Sequence, residues 1–368
     1  LAFLAGMLAG IFKVTPYPTV ENKVFQAYKV IQAEAETDNL HFMYRRRNAD
    51  VGTTVYEADA VQPGVTLISG MWLDDGQWRP SARLLDFSGA VLHEWKVRPE
   101  EIWPESPYRD LAAGSHNKPT SYIHGLELLP NGDIIFNIEY LGMVRLNSCG
   151  EVVWKLPYRT HHSISFDDAG NIWASGTVWR EEADPNYVGI RPPFVDETLV
   201  QVSPDGEILQ EIFILQSLVD SGYQGTLKLS FKTLDITHMN DVEVLHADMA
   251  AAFPMFNAGD ILVSLRNLNL VVVVDGANQK VKWHFSHPMI HQHDPDFEAD
   301  GTITIFDNND DTTRDGDYWG RSRILKVDPE TYRWRSIYPI SEGQPFYSQE
   351  GGKHQLLPNG NRLITEAN

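Results

Sequence analysis

One short pattern recurs along this chain and restricts it to a small set of folds. A polar residue or two, a glycine and then polar–apolar alternation appear as Leu129-Pro130-Asn131-Gly132-Asp133-Ile134-Ile135-Phe136 and as Asp168-Ala169-Gly170-Asn171-Ile172-Trp173-Ala174. The pattern returns at 257–263, 299–305 and 357–364. Asn-Gly and Asp-Gly supply the left-handed backbone that tight hairpins need. Behind each of the first four copies come an apolar strand, a polar turn and a strand that often holds tryptophan. Examples are Val144 to Trp154 and Val271 to Trp283, with Leu199–Leu209 and Ile324–Trp334 in the same place. An unmatched copy of this second half stands early, at Ala82 to Trp95.

Each unit therefore reads as four strands, and a repeated array of four-stranded units is the signature of a β-propeller. Units begin near residues 124, 161, 238, 291 and 354. The second is long and predicts a helix near 209–222. The stretches 66–96 and 354–368 look like complementary halves of one blade. The expectation is an all-β, six-bladed propeller over residues 65–368, its last blade short of strands.

The chain has 368 residues, with 42% hydrophobic and 11% aromatic content, enough for a packed core. Its formal net charge of −20 argues against nucleic acid as a partner, since that surface demands clustered cations. A single cysteine, Cys149, excludes an internal disulfide framework and any cysteine-based zinc cluster.

Ahead of the repeat, Leu1–Phe12 carries no polar side chain. It is shorter than the ~20 residues a spanning helix needs. We read it as the end of a transmembrane helix or signal-anchor; a buried core segment and a cleavable signal peptide are the alternatives. Residues 13–64 then form a linker, with a juxtamembrane helix expected over 21–36 from the spacing of Val24, Phe25, Tyr28 and Ile31. Both ends read as cut.

Histidine recurs with the repeat. The five units open on His124, His161-His162, His238, His291 with His293, and His354. In a propeller the first strand of each blade is innermost, so periodic histidines converge on one funnel. Three or four imidazoles suit zinc, copper or iron. No local metal-ligand spacing accompanies them, however, and no metal is assigned. Imidazoles beside an arginine instead suit an anionic group, with one histidine as nucleophile or base. The acidic loop holding Asp307, Asp310 and Asp311 is a weak calcium candidate, because it lacks the closing glutamate of the usual twelve-residue pattern.

Several stretches resemble the bacterial arylsulfotransferases. These are Asp235-Ile-Thr-His238-Met-Asn240-Asp241, Ile261 to Asn267 with Arg266, Gln292-His293-Asp294 with Ile305-Phe306-Asp307-Asn308, Ser322-Arg323, and Leu357-Pro358-Asn359-Gly360. The resemblance covers about residues 65–368. It implies an extracytoplasmic, membrane-anchored six-bladed propeller, periplasmic in bacteria. It also implies sulfuryl transfer from a phenolic sulfate to a phenol through a sulfated histidine, with no nucleotide cofactor. Carried over, it makes His238 and His293 polarise sulfate and acceptor oxygens, Arg323 hold the sulfate, and His354 the nucleophile. His124, His162, Asn240 and Arg266 would line the substrate site. The competing expectation is a propeller of this family that has lost catalysis and serves as a subunit of a membrane complex, using aromatic loops at 97–120 and 176–196.

Overall fold

The computed structural model describes residues 52–54, 57–105, 107–108, 122–230, 234–313, 316–340 and 346–367. The anchor at 1–12 and the helix expected at 21–36 lie outside them. Among the described residues no helix is long and apolar enough to cross a membrane.

Four four-stranded antiparallel blades follow one another: β4 (Ile123–Leu128) to β7 (Val152–Leu156) through β5 (Ile134–Ile138) and β6 (Gly142–Leu146); β8 (Thr160–Phe166) to β11 (Ile208–Phe213) through β9 (Ile172–Arg180) and β10 (Phe194–Val202). The third runs β12 (Met239–Val244), β13 (Ile261–Leu265), β14 (Leu270–Val274) and β15 (Val281–Phe285). The fourth runs β16 (His293–Phe297), β17 (Ile303–Asp307), β18 (Arg323–Val327) and β19 (Trp334–Tyr338). A three-stranded sheet of β1 (Thr66–Asp74), β2 (Gln77–Leu85) and β3 (Val91–Lys96) is a fifth blade, and β20 (Lys353–Leu356) with β21 (Arg362–Thr365) is a hairpin.

The propeller is thus as expected, but among the described residues its blades number five rather than six. The two end pieces share no strand ladder among the described residues. They meet where the Asn359 and Asn361 side-chain amides donate to Ala60 O at 3.1 and 2.7 Å and the Asn359 backbone N–H donates to Gln62 Oε1 at 3.0 Å, just ahead of β1. A helix near 209–222 is present as α2 (Ile214–Asp220), followed by α3 (Gln224–Ser230); α1 (Pro99–Ile102) is one short turn.

The recurrent tryptophan is an inter-blade clasp. Trp95, Trp154 and Trp283, each on an outermost strand, donate from Nε1 to Asn147 O, Pro204 O and Pro329 O in the next blade's outer turn. Gln210 does the same toward Gly276 O. Between blades the core is sealed by aliphatic second and third strands such as Ile261–Leu265 and Leu270–Val274, both buried along their whole length. Trp103 and Tyr187 from the aromatic loops are buried, so these rings pack the body rather than line an open rim.

Candidate functional site

The innermost strands β4, β8, β12, β16 and β20 lie side by side. Each pairs its last residue with the start of the second strand: Leu128 with Ile134, Phe166 with Ile172, Val244 with Ile261, Phe297 with Ile303, Leu356 with Arg362. Counting back from that shared register puts His124, His162, Asn240, His293 and Gly352 at one position. Gly125, Ser163, Asp241, Asp294 and Lys353 follow directly. His238 and His291 stand two residues before the histidine position, and His354 two after it. His161 stands one before it, so the histidines are not one ring, as their spacing suggested, but belong to four levels.

Each of the first four inner strands is bulged near its start, where the register slips between His124 and Leu126, His161 and Ile164, Met239 and Asp241, and His293 and Asp296. There the chain turns left-handed at Gly125 (φ 50), His162 (φ 49), His238 (φ 46) and Asp294 (φ 47). Bulges re-aim side chains, and left-handed non-glycine residues cluster at functional sites because the surroundings must hold them there.

The re-aimed rings meet. Ring centroids of His162 lie 4.6 Å from His124, 4.9 Å from His161 and 5.2 Å from His238. Burial dominates their protonation. It pushes His161 and His293 down to about 3, and His162 well below its ordinary value, with the neighbouring imidazoles adding to the effect. His291 is lowered by burial and by the Arg266 guanidinium, which also depresses His293. At neutral pH these rings are uncharged and offer lone pairs.

Their partners set which nitrogen carries the proton. Asn308 donates its amide hydrogens to Ser348 O and Gly351 O at 2.9 and 2.7 Å, so its oxygen faces His293 Nδ1 at 2.7 Å. His293 therefore carries hydrogen on Nδ1, and Nε2 keeps the lone pair. His238 Nδ1 donates to the Asp235 carboxylate at 2.5 Å, and its backbone N–H bonds the same carboxylate at 3.1 Å. This carboxylate–imidazole dyad fixes the tautomer, leaving the lone pair on His238 Nε2, and the side chain is 21% exposed. His291 Nδ1 lies 3.0 Å from Asp310.

Two of the residues expected here lie elsewhere. Arg323 forms an ion pair with Asp307 at 2.8 Å, donates to Pro288 O and lies over the Trp334 ring. Its strand position opposite Asp307 directs it to its own blade. The guanidinium beside the imidazoles is that of Arg266, which also lies 3.8 Å from Glu350. His354 is sealed: its side chain is 0% exposed, Nδ1 sits 2.8 Å from Asp294 and 3.1 Å from Asp296, and Nε2 is buried without a partner. Asn240 ties blades together, donating to Gln292 O at 2.9 Å. His124, His162, His238 and His293 are brought together as expected. Asp235 and Asn308 stand within the family-like stretches, and Asp235 also shows its spacing to His238; the buried Glu197 gives no sequence signal, because another strand delivers it.

The calcium candidates do not converge. Asp307 serves Arg323 and the Ile290 N–H, Asp310 serves His291 and the Thr312 N–H, and Asp311 serves Thr313 and the Tyr318 N–H.

Below the imidazoles the channel is acidic. Asp241 and Glu243, Asp294 and Asp296, and Glu127 come from three blades at the next positions along the inner strands. Burial pushes Asp241 up to about 7 and Glu243 and Asp296 well up, whereas Lys353 and His354 hold Asp294 low against its burial. Asp294, Asp296 and His354 bring potential ligand atoms within 4.8 Å of one another, but hydrogen bonds among themselves and to Lys353 account for those atoms. Lys353 Nζ contacts Asp294 at 2.8 Å, with a side chain 64% exposed to the channel. Lys353→Met should therefore destabilise the fold by roughly 2 kcal/mol at pH 8, about half the cost of breaking a fully buried pair. The sign follows from the carboxylates. Asp294, held low, contributes stability above its unfolded value near 4. Without Lys353 it titrates higher, so the loss shrinks toward pH 4 as it takes a proton. Melting temperatures of both proteins at pH 5 and pH 8 measure this; an equal loss at both would contradict it.

With this geometry in hand, comparisons with known proteins place the chain. The family model described as "Arylsulfotransferase (ASST)" matches residues 125–368. No curated protein matches the sequence. Among solved structures, a streptogramin B lyase is 9% identical with a TM-score of 0.44, covering 81% of this chain and 75% of its own. The virginiamycin B lyase of Staphylococcus aureus is 11% identical at 0.42, covering 82% and 76%. The WD40 domain of Neurospora crassa Pan2 is 10% identical at 0.41, covering 79% and 69%. The family match spans more than half of the chain, and this protein belongs to the arylsulfotransferase (ASST) family.

Proposed function

We propose that the protein transfers a sulfuryl group from an aryl sulfate ester to a phenol, with His238 as the covalent carrier. The observation that carries this reading is the Asp235–His238 dyad, standing partly open among neutral imidazoles. In the first half, the His238 Nε2 lone pair attacks sulfur. The sulfur–oxygen bond to the aryl group breaks and aryloxide leaves. Asp235, accepting the Nδ1 hydrogen, offsets the positive charge of the sulfated ring. In the second half a phenol oxygen attacks sulfur, the nitrogen–sulfur bond breaks and neutral His238 returns. Positioning and charge stabilisation govern such transfers, as in phosphoryl transfer. Arg266 offers a planar fork to the sulfate oxygens.

The test is transfer from 4-nitrophenyl sulfate to phenol. Arg266→Lys should lower kcat/KM by about 10²–10³, the cost of one positioned charge contact. Arg323→Lys should leave it within about threefold, because its partner is Asp307 rather than substrate. Absence of wild-type turnover would sink the enzyme reading. It would favour a second one, a non-catalytic propeller serving as a membrane-complex subunit, for which the commitment of Arg323 to Asp307 speaks. We further propose, from the apolar run Leu1–Phe12, that the propeller is held at a membrane on its extracytoplasmic face. Carbonate extraction that releases the full chain would contradict the anchor.

A further inference from the structure

Sulfuryl transfer between phenols needs a proton as well as a nucleophile. The leaving aryloxide must gain one, and the incoming phenol must lose one. His238 cannot supply it, since Nε2 bonds sulfur and Nδ1–H is held by Asp235. Imidazolium is disfavoured at the other rings, because burial lowers His161, His162 and His293. The site therefore requires a proton store that never puts a positive charge on a buried ring.

One line of groups has that form. His162 and His161 face each other Nδ1 to Nδ1 at 2.7 Å. Two neutral imidazoles in that arrangement share one hydrogen: one ring donates and the other accepts. The far nitrogen of His161, Nε2, is buried with no hydrogen-bond partner and lies 3.7 Å from Glu197 Oε1. Glu197 is buried too, and its other oxygen accepts from the Thr237 hydroxyl and the Met239 N–H. Both backbone carbonyls of the His161-His162 pair are held by the Asn137 amide, at 3.2 and 3.0 Å. The His162 ring leads to His238, 5.2 Å away between centroids.

We propose that His162 is the general acid and base of the transfer, exchanging its proton with Glu197 through His161. This rests on the sulfuryl-transfer reading. In the resting state Glu197 is the neutral acid, directed at the His161 Nε2 lone pair. His161 Nδ1–H donates to His162 Nδ1, and His162 carries hydrogen on Nε2, toward the substrate. As the aryl–oxygen bond to sulfur breaks, that Nε2 hydrogen passes to the departing aryloxide. The His161 Nδ1 hydrogen moves to His162 Nδ1, and the Glu197 proton moves to His161 Nε2. Glu197 is then a carboxylate and both rings are neutral. When the acceptor phenol attacks, its proton enters at His162 Nε2 and the same three transfers run backward. No ring becomes charged, and the proton lost in the first half is recovered in the second. Desolvation favours the neutral carboxyl of Glu197 at rest. The 3.7 Å gap is of the kind that closes when substrate is bound.

The leaving group separates this role from a structural one. 4-Nitrophenolate departs without a proton, whereas unsubstituted phenolate does not. Glu197→Gln keeps size and hydrogen bonding but cannot release a proton. In a single turnover with donor alone, it should slow phenol release from phenyl sulfate by about 10² and 4-nitrophenolate release by no more than about threefold. Equal loss on both esters, or loss on neither, would overturn the proposal. A second measurement does not depend on activity. Histidine nitrogen NMR at pH 7 should show His161 with hydrogen on Nδ1 and His162 with hydrogen on Nε2, and carboxyl-labelled Glu197 in its acid form. The reverse tautomers with an ionised Glu197 would overturn the resting state. If wild-type transfers no sulfuryl group while the NMR pattern holds, the transfer reading fails and the proton line stands.

Discussion

On the proposed transfer, His238→Ala should abolish turnover of aryl sulfates, lowering it by about 10⁴-fold or more, because it removes the carboxylate-braced ring that meets His162. Wild-type protein, quenched after mixing with donor alone, should carry one sulfuryl group on the peptide holding His238; mass spectrometry of the digest locates it, and its appearance on His354 or His293 would refute the assignment. Asp235→Asn keeps the shape but loses the charge that stabilises the sulfated ring, and lowers turnover by about 10²–10⁴. His354→Gln, by contrast, changes melting temperature more than rate. It lies at a sealed position between Asp294 and Asp296.

His354 follows from the family order, as the histidine downstream of Arg323, and register is what removes it from the site. Spacing within the repeat placed a histidine at the start of every unit, and the propeller with its hairpin turns followed correctly from the glycine pattern. Inner strands, though, are bulged, and a bulge shifts every side chain after it by one place. A unit starting at His354 and one starting at His293 look alike in one dimension, but pairing with the second strand sets them two residues apart. Blade number was misjudged for a related reason. The stretch 66–96 holds three strands, not two, so it is a blade in its own right rather than the missing half of another. Arg323 follows the family motif, yet its pairing opposite Asp307 gives it a local partner that no linear pattern reveals. Glu197 is invisible in the sequence because a supporting residue has no spacing to the residue it supports; Asn308 and Asp310 are in view, in a motif and in the acidic loop, but nothing linear gives their partners His293 and His291. Asp235 is the exception, three residues from His238 on the same turn.

Gly125→Ala should unfold a large part of the population at physiological temperature. A methyl group there would sit 2.1 Å from the His162 carbonyl oxygen and 3.1 Å from the Ile164 nitrogen, both backbone atoms of the neighbouring blade. The residue also has φ 50. Overpacking costs about 1–3 kcal/mol, and a left-handed non-glycine residue about 1–2 more, so the expected loss is roughly 2–5 kcal/mol. Denaturant titration of the two proteins measures it. Gly150→Ala, also left-handed but with open space around it, is the control and should cost only the smaller, conformational share. If the two variants were equally stable, the close approach of β4 to β8 would be wrong. The Gly125 variant that remains folded should also show a displaced His162, read as altered ring shifts.

The carboxylates beneath the imidazoles have a kinetic consequence. Burial holds Glu127, Asp241, Glu243 and Asp296 toward the neutral acid and Lys353 pairs Asp294, so near pH 7 the channel floor carries little net charge. As pH rises through about 7 Asp241 loses its proton, and each further ionisation adds negative charge beneath the rings. On the proposed transfer, an anionic ester then meets growing repulsion from below, so its KM should rise on the alkaline side while the buried imidazoles stay uncharged throughout.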